Sequence, residues 1–178
     1  MYDSANHLEK MTMNLPTIEM DIVGLGMILY SPKSAQHIKE GDDYLQSNYW
    51  DPAKVEQHCL DVTIVGFCTG SPGRYFLCFR EGYPSEKVLT ENEFKLRLAV
   101  KVFDSTLCVR DLYELMDWTP ECPSNQLITI PDGVYHITLC SRPPESGILG
   151  RDQHILVYLN KLDSMPKLKY GGVPALCK

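Results

Sequence analysis

Two runs rich in β-branched residues flank a Pro-Asp-Gly turn in residues 126–142, QLITIPDGVYHITLCSR, and no other stretch narrows the choice of fold as far. Residues 127–130 read as one strand and residues 134–140 as a second. Pro131 presets φ at the first corner, Asp132 can bond back to the backbone, and Gly133 accepts a positive φ. A type I turn with a glycine bulge is the expected link, and a hairpin the expected product. Along the second strand, Tyr135, Ile137 and Leu139 share one face, and His136, Thr138 and Cys140 share the other. The first set belongs in a core. The second belongs to surface, interface or site.

The rest of the chain agrees with a β-rich class. Twelve Gly and twelve Pro spread over 178 residues imply many turns. That length sustains one domain with a real core, and 44% apolar residues exclude a disordered chain. Residues 20–30 read as the first strand, with Val23, Leu25, Met27 and Leu29 on one face. Gly24 and Gly26 lie on the other, where a second backbone or side chain approaches closely. Asp51-Pro52 opens a short helix over residues 52–59, with Val55 and Cys59 inward and Trp50 as a staple before the cap. Residues 62–68 and 74–80 are paired strands around a Gly-Ser-Pro-Gly turn, and Tyr75, Leu77 and Phe79 point in. A loop fills residues 81–92. Residues 94–103 alternate most cleanly, and residues 106–109 pair back on them. The period then lengthens to the helical value over residues 110–118. A further strand covers residues 153–159. The expected architecture is mainly β: an antiparallel β-sandwich with one or two short helices. It occupies residues 20–178 as a single domain, behind a flexible N-terminal arm of residues 1–19.

Charge and cysteine usage limit function. A net charge of −6 argues against nucleic-acid binding and suits a basic partner. No apolar run reaches membrane-spanning length, and no basic segment precedes an apolar core at the N-terminus. No membrane association and a cytoplasmic location are the expectations. The seven cysteines are odd in number and lack CxxC spacing, so they read as free thiols in a reducing compartment.

No stretch carries a phosphate loop or a dinucleotide-binding fingerprint. His136, Cys140 and His154 would make a zinc site, or with Asp152 a Cys–His hydrolase, if neighbouring strands bring them together. The glycine-lined face at Gly24 and Gly26 would suit a ligand- or carbohydrate-binding sandwich. The acidic features carry more. Glu40, Asp42 and Asp43 cluster, and Asp111, Glu114 and Asp117 line the helix of residues 110–118, with Glu121 just beyond. Tyr113 and Trp118 lie among these charges, with Tyr44, Tyr49 and Trp50 near the first group. Aromatics beside acids are the composition of interface anchors with a polar rim. The reading is a docking surface for a basic protein.

The order of features resembles the competence protein J family, small bacterial inhibitors of a DNA-entry nuclease. The matching pieces are residues 27–30, Trp50-Asp51, residues 62–67 with 75–79, and Ile130-Pro131-Asp132-Gly133-Val134-Tyr135. The likeness spans residues 20–142 and leaves out the helix of residues 111–118 and everything after Pro143. It implies an immunity protein that binds a cognate toxin, a basic nuclease domain, and occludes its active site without turnover or cofactor. The wider class implied is the bacterial proteins that neutralise polymorphic or contact-delivered toxins, as in type VI secretion. The expected contact residues are Asp111, Glu114, Asp117, Glu121, Asp42, Asp43, Tyr113 and Trp118.

Overall fold

The computed structural model describes residues 13–178. The strands are β1 (Thr17–Ile22), β2 (Gly26–Tyr30), β3 (Ile64–Cys68), β4 (Gly73–Glu81), β5 (Phe94–Val102), β6 (Thr106–Asp111), β7 (Leu127–Thr129), β8 (Gly133–Ser141) and β9 (Gln153–Leu162). Two α-helices, α1 (Pro52–Leu60) and α2 (Glu86–Glu91), and several single helical turns complete the described elements. The strands form two sheets, ordered β1-β4-β9-β8-β5 and β3-β2-β6-β7. All neighbours run antiparallel except β4 and β9, which are parallel. The expected mainly β sandwich is therefore present, with one parallel pair inside it. Of the expected N-terminal arm, residues 1–12 lie outside the described residues, and Thr17–Glu19 belong to β1.

The core follows from strand alternation. Tyr75, Leu77, Ile137 and Val157 of the first sheet are buried, as are Met27, Leu29, Phe67 and Val109 of the second. The opposite face of the second sheet is covered by helical segments. Tyr49, on a π-helical turn (Leu45–Tyr49), lies over Gly66 and donates its hydroxyl to the Ile64 carbonyl at 3.0 Å. A Cβ at Gly66 would sit 2.3 Å from that phenolic oxygen, so the glycine admits the ring. Helix α1 begins as expected, with Asp51 accepting from Ala53 N at 2.9 Å and Val55 and Cys59 buried. Trp50 is not a staple; it is 69% exposed. The loop expected before β5 contains α2, capped by Ser85 on Val88 N. None of its residues is fully buried, so no amphipathic period announced it.

Four strand expectations fail for one reason, which is pairing across the sandwich. Residues 62–68 and 74–80 do not pair with each other; β3 joins β2, while β4 joins β1 and β9 in the other sheet. Residues 20–30 are not one strand. The N–H groups of Val23 and Gly24 bond to the Asp111 carboxylate instead of a strand, and the chain passes there from the first sheet to the second. Residues 106–109 do not pair along residues 94–103; β6 joins β2 and β7. Residues 127–130 and 134–140 do not form a hairpin. β7 pairs with β6, while β8 pairs with β5 and β9. Pro131-Asp132-Gly133 is thus a corner between sheets, stacked on the Asp104-Ser105 corner where β5 gives way to β6. Asp132 accepts from Ser105 N at 2.7 Å, and Tyr135 donates its hydroxyl to the Pro131 carbonyl at 2.7 Å. The second bond has the geometry of the tyrosine corner found in Greek-key sandwiches. Gly133 holds φ at +147°, as the turn chemistry requires. The hairpins expected over residues 94–109 and 127–140 have opened, and the first half of each pairs with the second half of the other.

Candidate acidic docking site

The helix expected over residues 110–118 is shorter and starts later. Strand β6 continues to Asp111, and a 3-10 turn, Leu112–Met116, follows. Asp111 caps it, and Glu114 closes a capping box. Leu115 points into the core. Met116 is exposed, while Tyr113 is partly buried against the core and the Gly24 bend.

This geometry sorts the eight expected contact residues. Asp111 is only 7% exposed. Its carboxylate accepts from Val23 N at 2.7 Å, from Gly24 N at 3.2 Å and from Tyr113 N at 3.0 Å. A Cβ on Gly24 would stand 2.4 Å from its Oδ1, so this glycine opens the space that carboxylate fills. Glu114 accepts from the Asp111 N–H at 3.1 Å and from two guanidinium nitrogens of the buried Arg110 at 3.2 and 3.3 Å. Arg110 also donates to the Thr119 carbonyl at 2.6 Å and the Thr119 hydroxyl at 2.9 Å. Its guanidinium lies 4.7 Å from the Trp118 ring centre, and Tyr30 packs 5.5 Å from the same ring. Trp118 is 1% exposed. Asp111 and Trp118 are therefore buried parts of a clasp around Arg110, not surface anchors, and Glu114, partly exposed, pairs with the same cation. The sequence pattern put Asp111 on the acidic stripe of one amphipathic helix over residues 110–118, whereas the strand runs on to Asp111 and only a 3-10 turn follows.

The other acidic residues remain exposed, and the tertiary structure brings them together. Gly41 N donates to the Trp118 carbonyl at 2.8 Å, and Trp118 N donates to the Asp42 carbonyl at 3.1 Å. This backbone pair sets the segment with Glu40, Asp42 and Asp43 beside the segment with Asp117 and Glu121; all five are exposed. The two segments lie more than seventy positions apart in sequence. Met116, 46% exposed, borders them, and Tyr113 packs on the Gly24 bend, whose neighbour Val23 is 76% exposed. The surface gathers the carboxylates of the two segments beside the exposed Met116. Tyr44 and Tyr49, expected near these charges, are buried beneath them. The Tyr44 hydroxyl lies 2.8 Å from His58 Nε2 and 3.2 Å from His37 Nε2, and burial raises its pKa.

The rival sites do not assemble. On the outer face of the first sheet, His136 is paired with Asn160, while His154 sits six positions along β9, about 20 Å away at the strand rise. His136 bonds to Tyr83 at 2.8 Å, and His154 stacks on Phe76. Cys140 is fully buried, and burial pushes its thiol up. Among the described residues, no three His, Cys, Asp or Glu side chains are placed to share a metal ion. The space at Gly24 and Gly26 is filled by Asp111, Tyr113 and the Phe67 backbone, so no ligand groove opens there. An open cleft between β9 and the loop after β8 mixes Arg142 and Arg151 with Glu91, Glu145 and Asp152. Among the described residues, no helix is long and apolar enough to cross a membrane.

Neither the family models nor the curated protein sequences give a match. Solved structures do. The fold is similar to that of ComJ, inhibitor of the DNA degrading activity of NucA, from Bacillus subtilis, with a TM-score of 0.53 and 11% identity over 85% of this chain and 99% of that one. It is also similar to a protein described as crocagin biosynthetic gene J, with a TM-score of 0.50 and 12% identity over 82% of this chain and 98% of that one. The resemblance to competence protein J is thus present at the level of the fold.

Proposed function

We propose that this protein is a stoichiometric inhibitor of a basic nuclease, an immunity protein that acts from the cytoplasm by covering the active site of a cognate toxin. The observation that supports it is the union of residues 40–43 with residues 117–121 into one exposed acidic surface. Nuclease sites hold phosphodiesters with cationic groups, and a carboxylate surface matches that field and speeds encounter. The fold shared with an inhibitor of a DNA-degrading activity is consistent with this role. Fold alone does not choose the partner, since a protein named for crocagin biosynthesis shares it.

In this reading Asp42, Asp43, Asp117 and Glu121 steer the complex, and Tyr113, Met116 and Val23 supply its apolar centre. Asp111, Glu114 and Trp118 act indirectly, by holding the turn in place. Inhibition in this reading is binding alone, with no covalent step on the nuclease.

The direct test takes its candidate partner from the neighbouring genes: a secreted modular protein with a variable C-terminal domain, whose purified domain is assayed for DNA cleavage with and without this protein. Mixing the two should abolish DNA cleavage at a one-to-one ratio and yield a complex on size exclusion. Undiminished cleavage at a tenfold excess would end the proposal.

A further inference from the structure

We propose that Cys108 and Cys122 form a reversible dithiol–disulfide pair, in which Cys122 is the attacking thiol and Cys108 the buried resolving thiol. Cys108 lies in β6, on the face that carries Arg110, and is fully buried. Its strand partner across to β7 is Leu127. Cys122 lies in the loop that precedes β7 and is partly exposed. Its sulfur is 3.8 Å from the Gln126 carbonyl, adjacent to that partner, and accepts from the Val109 N–H just past the end of the β6–β7 ladder. The 3.8 Å contact to Gln126 and the register of Leu127 with Cys108 place Cys122 at the edge of the strand pair beside Cys108, and each thiol shifts the pKa of the other.

The electrostatics divide the roles. The hydrogen bond from Cys108 lowers the Cys122 thiol, and the charge of Arg110 acts in the same direction against the cost of burial. The same hydrogen bond, together with burial, raises Cys108. A partly exposed, lowered thiol beside a buried, raised one is the arrangement of a thiol pair built for exchange. By contrast, burial raises both Cys59 and Cys140.

The co-reactant is a small-molecule disulfide such as oxidised glutathione. The Cys122 thiolate attacks one of its sulfurs, the S–S bond breaks, a mixed disulfide forms, and one glutathione leaves as thiolate. Cys108 then attacks the Cys122 sulfur. The mixed disulfide breaks, the Cys108–Cys122 bond forms, and the Cys108 proton goes to the departing second glutathione. Two protein thiols are oxidised by two electrons, and one glutathione disulfide is reduced to two thiols. The new bond ties the loop carrying Glu121 to the second sheet. The chemistry requires nothing of the nuclease partner.

The experiment equilibrates the intact protein with oxidised glutathione near neutral pH, quenches it with acid, and maps disulfides by mass spectrometry before and after a reductant. The expected product is two hydrogens lighter than the starting protein, carries no glutathione, and yields a peptide joining Cys108 to Cys122. Cys122→Ser loses the cross-link. Cys108→Ala traps glutathione on Cys122, and should that variant fail to fold, the wild-type map decides. A wild-type protein that keeps glutathione on Cys122 without closing overturns the proposal. So does a cross-link between another pair, such as Cys68 and Cys177, or seven thiols left unchanged.

Discussion

At the residue scale, the strictest demand falls on Gly24 and Asp111. The carboxylate of Asp111 satisfies backbone donors from two segments, and Gly24 leaves the space it occupies. Gly24→Ala forces the carboxylate or the Tyr113 ring aside. We expect a loss of about 2 kcal/mol of stability, read by urea unfolding. Cys59 makes a second residue-scale prediction. Burial in the α1–β3 interface raises its thiol from 9 to about 11, partly offset by its contact with Gly66. The folded state therefore holds this proton more tightly than the unfolded chain. The resulting stability is complete below pH 9 and is lost as the pH rises to about 11. Unfolding measured across that window should show a decline, and Cys59→Ala should remove about 2 kcal/mol of it.

At the element scale, the 3-10 turn Leu112–Met116 joins the proposed docking surface to the core. Arg110 pairs with Glu114, reaches Thr119 and lies over Trp118, so the turn and the loop after it are fixed by one buried cation. A buried indole in such a clasp differs sharply from an exposed one. Trp118→Ala should cost about 3–5 kcal/mol, whereas Trp50→Ala should change stability by no more than about 0.5 kcal/mol. Equal effects in thermal melts would contradict this placement of the two rings. The corner at Pro131-Asp132-Gly133 gives a finer test. Tyr135→Phe removes the bond to the Pro131 carbonyl and should cost about 1 kcal/mol while leaving both sheets intact by circular dichroism.

At the scale of the whole molecule, charge is unevenly used. Glu114 and Asp111 are committed to internal partners, and the exposed carboxylates gather where residues 40–43 meet residues 117–121. Reversing Asp42, Asp43 and Asp117 to Lys should leave folding stability within about 0.5 kcal/mol. It should slow association with the proposed nuclease partner by about tenfold or more at low salt, an effect that shrinks as salt rises. Stopped-flow association across an ionic-strength series would show it. Reversal at Glu114 should instead lower the melting temperature, because it places two cations together at the buried Arg110.

Much of this fold was legible one element at a time. The alternation of residues 94–103, the Asp51 cap of α1 and the inward faces of β4 and β8 all follow from each segment's own side chains, because pleat and helix turn set which side each residue faces. The same rules say nothing about which strand lies next to which. A period of two assigns a face and leaves the neighbour open, so the hairpins expected over residues 94–109 and 127–140 were equally compatible with the crossed pairing of β5 with β8 and of β6 with β7. That choice was settled by long-range contacts: the Asp132–Ser105 bond, the Tyr135 corner and burial of both inner faces together. Acidity and an acidic segment at each of two places were likewise present in the residues. Which carboxylates face solvent, and that the two segments meet, depended on Trp118 entering the core and pairing its backbone with residues 41 and 42, a contact that exists only once the second sheet and its helical cover have closed.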